Sequence, residues 1–135
     1  MYVLRIYLLT SYLESLHSAD HAVGHLWDYI QNQIPEMANN TAIVVSPEHG
    51  RNLDPNNIKD ANAFYGYDHS DSNARRIFNL MAGPGIDSNL VIGSETNGVG
   101  DIVNITPTIA EILGFKQDMI NSGLVYNNNS LFDLI

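Results

Sequence analysis

A carboxylate, an imidazole and a glycine stand side by side at Glu48-His49-Gly50, and a further imidazole, His69, follows across a polar segment. Carboxylate oxygens and imidazole nitrogens are the usual ligands of Zn²⁺ and related ions, and a catalytic site leaves one position open for water or substrate. On spacing alone, a polar loop with scattered ionisable groups is the simpler account, because ligand type without geometry carries little weight. A second set, His17, His21 and His25, repeats every four residues and so shares one helical face. Such a pair can hold a metal. However, the run HAVGH lacks the Glu that follows the first His in a metalloprotease helix, and a solvated or partly packed histidine face is the simpler reading. The basic pair Arg75-Arg76 reads as flanking a strand.

The stretch Thr41 to Gly50, TAIVVSPEHG, supplies the support for the first group. Ala42 to Val45 is a short apolar run rich in β-branched residues, as in a strand buried on both faces of a parallel sheet. Asn39-Asn40 turns the chain into it, and Ser46-Pro47 ends it. Glu48 and His49 therefore fall just past a strand's carboxyl end, where open α/β sheets place their ligands. Upstream, Leu13, Leu16, Val23, Trp27, Ile30 and Ile34 recur at steps of three, four or seven, which predicts a helix from Ser11 to about Ile34. Ser11 and Glu14 have the spacing of a capping box, and Pro35 stops the helix. The first ten residues fit a strand, the start of a helix or a cut end.

Downstream, residues 51–67 form a long polar loop, of a length that is usually functional or mobile within a compact domain. A second buried strand is expected at Ile77 to Ala82, closed by the turn Gly83-Pro84-Gly85, and another short one at Leu90 to Ile92. ITPTIAEILG reads as a helix with Thr106 as cap, Pro107 in its first turn and Gly114 at its end. The tail is turn-like up to LFDLI. No internal repeat is present, and residues 1–135 read as one domain at most.

Composition narrows the classes. Hydrophobic residues at 44% and charged residues at 16% describe a globular chain. Fifteen acidic against six basic residues, a formal charge of −9, argue against a nucleic-acid-binding surface. The absence of cysteine removes disulfides and thiolate metal sites. No apolar run reaches bilayer length. The start, MYVLRIYLLTSYL, has a faint likeness to a signal peptide, but Arg5 interrupts it and no clear small-residue cleavage site follows.

Taken in order, the motifs resemble the C-terminal part of the alkaline phosphatase superfamily, in its sulfatase and type I phosphodiesterase-like branch. Asp20-His21-Ala22-Val23-Gly24 resembles that family's Asp-x-x-Val-Gly helix, and Asn40 to Val45 its Asn-Thr-x-Ile-Val-Val strand. Glu48-His49-Gly50 stands where the family has Asp-His-Gly, and Gly66-Tyr67-Asp68-His69 where it has a metal-binding His near a glycine. Arg75 to Gly85 matches a basic residue, strand and Gly-Pro-Gly turn; Asn104 to Gly114 matches an Asp-x-x-Pro-Thr helix.

The resemblance implies the C-terminal portion of an α/β three-layer sandwich with a mostly parallel sheet. It also implies a two-metal hydrolase of phosphate or sulfate esters, with Glu48 and His49 on one ion and His69 on the other. Zn²⁺ is the expected metal, with Mn²⁺ or Ca²⁺ also compatible, since single-metal sulfatases of the superfamily use Ca²⁺. A periplasmic or secreted location fits the parent family. The departures are as informative. Nothing here matches the family's N-terminal nucleophile region, and residues 1–8 lack the Asp-x-x-x-His metal pair expected before the Asp-x-x-Val-Gly helix. Glu48 replaces an Asp; its extra methylene shifts the carboxylate by ~1.5 Å, against a tolerance of about 0.2 Å in metal–oxygen bonds. The expectation is a fragment, inactive alone, whose exposed sheet edge favours self-association. The alternative is a non-catalytic binding domain that keeps the scaffold.

Overall fold

The structure, a computed structural model, describes residues 10–50, 74–94 and 96–135, together with the backbone alone of residues 2–9. Among the described residues the architecture is mixed α/β: helices α1 (Tyr2–Gln33), α2 (Pro35–Ala38), α3 (Ile105–Ile112) and α4 (Lys116–Ser122), and strands β1 (Ile43–Val45) and β2 (Leu80–Ala82). The two strands pair as one small sheet. Contacts divide the chain into residues 1–43 and 44–135.

In the first unit, α1 starts well before Ser11, so the expected capping box does not form. Ser11 sits inside the helix, and its carbonyl accepts from the Ser15 hydroxyl at 2.9 Å. The predicted stripe is realised only in its second half: Ile30 is buried and Val23, Trp27 and Ile34 are half-buried, whereas Leu13 and Leu16 are exposed. Pro35 breaks the helix as expected, because its ring disfavours helical backbone at Ile34 (φ −128°, ψ 79°). Proline then serves as the first residue of α2, where no amide donor is needed. The link expected between helix and strand thus holds a short helical turn.

β1, whose first residue ends the first unit, and β2 lie where the two apolar runs predicted strands, but neither is buried. All three residues of β1 are half-buried, and Leu80 in β2 is exposed. The third strand is absent. Leu90, Val91 and Ile92 are exposed and irregular, held between Asn89 (φ 59°) and Gly93 (φ 81°), both left-handed and so incompatible with a continuing extended run. The expected helix is present as α3, but its start is set earlier than Thr106. Asp101 accepts the Ile102 amide at 2.6 Å, and Asn104 Oδ1 accepts the Asp101 amide at 2.7 Å. This reciprocal cap nucleates a 3₁₀ turn at Ile102–Asn104 that runs directly into α3. Pro107 occupies the first turn, and Gly114 (φ 78°) ends the helix in the left-handed conformation glycine allows.

Sequence periodicity missed α4, a seven-residue helix closed by Gly123 (φ 67°), and the 3₁₀ turn at Leu131–Leu134. The core of the second unit is small and polar. Thr108 and Ser130 are fully buried, Asn104 nearly so, alongside Pro107, Ala110 and Met119. These three buried polar side chains have partners: Thr108 Oγ1 donates to the Asn104 carbonyl at 2.6 Å and accepts the Leu131 amide at 2.8 Å. Asn104 Nδ2 donates to the Asn129 carbonyl at 2.8 Å. These bonds tie the tail to α3.

Candidate functional site

The residues after β1 are held from two sides. Ser46 Oγ approaches the Phe78 carbonyl at 3.4 Å, and the Gly50 amide donates to the carbonyl of buried Ala74 at 2.7 Å. Between these ties Pro47 stiffens the backbone, and Glu48 and His49 are exposed. The two side chains therefore project from a short loop anchored at both ends to the segment leading into β2.

His49 has a defined ring orientation. Its Nδ1 lies 2.6 Å from the Gly50 carbonyl oxygen, which can only accept, so a hydrogen bond there places a proton on Nδ1. A backbone carbonyl behind one imidazole nitrogen is the usual way in which a metal-ligating histidine is fixed in tautomer and direction. In donor chemistry Glu48 and His49 suit one edge of a divalent-cation centre. They do not complete one: among the described residues no three His, Asp or Glu side chains gather into a group able to hold an ion. His69 lies outside the described residues, as does the predicted polar loop.

The histidines of α1 are arranged differently. His17, His21 and His25 are all exposed, and the rings of His21 and His25 stack with centroids 6.4 Å apart and planes 16° from parallel. Arg75 and Arg76 are exposed beside Ala74.

Sequence reasoning overlooked the best-connected polar group in the second unit. Lys116 Nζ contacts Glu111 Oε2 at 2.7 Å and Asp133 Oδ2 at 2.5 Å. Ser130 Oγ donates to the same Glu111 oxygen, and Asp133 accepts the Ser130 amide at 2.7 Å. Hydrogen bonds from Lys116 and then Ser130 hold Glu111 below the usual carboxylate range; Lys116, then the Ser130 amide, does the same for Asp133. Asp133 and Glu111 in turn raise Lys116. A shallow depression is lined by Lys116, Gln117, Asn128, Asn129 and Asp133, and its only cation is already matched by two carboxylates. The cluster joins α3, α4 and the tail. The Ser130-x-x-Asp133 spacing was its one readable signal, as a capping box.

Comparison with protein-family models, with curated proteins and with solved structures yields no match to this chain.

Proposed function

We propose that this chain carries part of the metal-binding half of a phosphate- or sulfate-ester hydrolase of the alkaline phosphatase superfamily type, and that it is inactive by itself. The observation that carries the reading is the loop after β1. An Asp/Glu-His-Gly sequence past a strand end directs a carboxylate and a tautomer-fixed imidazole outward from a tethered backbone. The order of motifs on either side agrees with it.

In this reading Glu48 and His49 orient one divalent cation, with Zn²⁺ preferred by the donor set, and His69 contributes to a second. Bound cations of this kind stabilise charge on the ester oxygens and lower the pKa of an attacking group. The chain's own contribution is positional: Gly50 fixes the His49 ring, and the ties at Ser46 and Gly50 limit the loop's freedom. No nucleophile is assigned among the 135 residues. The incompletely covered sheet also favours association of copies or with a complementing segment.

The test is a Zn²⁺ titration in a His21→Ala background, which keeps the α1 histidines out of the measurement. Weak binding that His49→Ala and His69→Ala each reduce supports the reading; binding indifferent to both sinks it. Chromogenic phosphate and sulfate monoesters should show no turnover with Zn²⁺, Mn²⁺ or Ca²⁺. Metal-dependent hydrolysis abolished by His49→Ala would overturn the claim of inactivity.

A further inference from the structure

The exposed face of α1 is independent of the loop after β1 and of the reading just given. His17, His21 and His25 succeed one another at four-residue intervals, about 6 Å of helix rise per step. All are exposed, in a stretch from residue 10 to 22 in which every described side chain is exposed. The His21 and His25 rings already stand together, 6.4 Å between centroids and nearly parallel. Exposed imidazoles exchange rotamers readily, so small side-chain rotations bring one nitrogen from each ring toward a common point.

Charge favours a cation there. Glu14 lies three residues before His17 and Asp28 three after His25, so carboxylates bracket the same face at both ends. Residues 6–50 contain no Lys or Arg to oppose an incoming ion. We infer that α1 carries a transition-metal clip built from two overlapping imidazole pairs, His17–His21 and His21–His25, with His21 common to both.

Geometry forces the sharing. His17 and His25 are separated by about 12 Å of rise, whereas two imidazole nitrogens on one ion are at most about 4 Å apart, twice a metal–nitrogen bond. One ion therefore uses one pair at a time, completed by water, and every arrangement needs His21. Imidazole pairs select Ni²⁺, Cu²⁺ or Zn²⁺ over Ca²⁺ and Mg²⁺, which prefer oxygen.

Ni²⁺ alone is the probe, titrated into the full chain by calorimetry and by quenching of Trp27, the sole tryptophan, which lies two residues beyond His25. His21→Ala should weaken binding by about tenfold or more, since it leaves no pair. His17→Ala and His25→Ala should each cost only about two- to threefold, because one pair survives. His49→Ala should leave the Trp27 quenching unchanged, and excess Ca²⁺ should not compete. Alanine is a good helix former at these exposed sites, and far-UV circular dichroism verifies that each variant folds. Equal losses for the three histidines, no loss for His21→Ala, or displacement by Ca²⁺ would each overturn the clip.

Discussion

The hydroxyl of Thr108, in the middle of α3, accepts the backbone amide of Leu131 across 2.8 Å while donating to the Asn104 carbonyl at 2.6 Å. Through one fully buried side chain, the cap of a helix and the start of the C-terminal turn share a fastening point. Thr108→Val keeps the shape and deletes both bonds, leaving a shielded amide without this acceptor. The expected loss is about 1–3 kcal/mol, read by urea denaturation. Faster exchange of the Leu131 amide should accompany it. An unchanged midpoint with unchanged exchange would mean the tail is held by other contacts.

Stability should depend on pH through the cluster of Glu111, Lys116 and Asp133. Both carboxylates have folded-state values below their ordinary range, so their contribution is present above it and disappears as pH falls through the depressed values. Lys116 is raised, so its contribution is complete below the ordinary lysine range and is lost as pH climbs through the raised value. Glu111 and Asp133 are substantially solvent-exposed, which keeps the effect small. Lys116→Met should make the acid limb of a thermal-stability profile shallower. A limb that keeps its slope in this variant would assign acid sensitivity to other groups.

Asn79, immediately before β2, has both side-chain amide atoms shielded with no hydrogen-bond partner. An orphaned amide costs about 1–3 kcal/mol, and an apolar group of similar shape removes that cost. Asn79→Leu should therefore leave the isolated chain as stable or make it more so, by up to about 1 kcal/mol. Destabilisation would show that Asn79 is already satisfied in solution.

What was legible beforehand follows from how local each signal is. Ala42 to Val45 and the ITPTIAEILG helix announced themselves because apolar pattern, proline and terminal glycine act within a few residues. Pro35 marked the end of α1 for the same reason. Burial was misjudged: a β-branched run predicts extended backbone, but whether β1 is covered depends on neighbours distant in sequence. Leu90 to Ile92 had strand composition, but Asn89 and Gly93 on either side, both left-handed, decided its conformation. Glu111, Lys116 and Asp133 carry no local signal in the sequence, since their meeting depends on α4 folding back against α3 and the tail. At the candidate site, residue types were visible in the sequence, whereas the Nδ1 proton of His49 emerged only from its approach to Gly50.

The core of the second unit, fastened by Thr108, Ser130 and Asn104, with Ala74, Ala110 and Met119 as its buried hydrophobic residues among those described, has a calorimetric consequence. Hydrating apolar surface raises the heat capacity of unfolding, and hydrating polar surface lowers it. Melting the described part of this unit uncovers amide and hydroxyl groups along with comparatively little hydrocarbon. Its heat-capacity increment should fall below the roughly 12–15 cal/mol/K per residue of ordinary domains. Its stability curve should accordingly be broad and flat, with cooling from room temperature changing the folded fraction very little. Scanning calorimetry at several pH values measures the increment directly, and an ordinary value would place substantial apolar burial elsewhere in the chain.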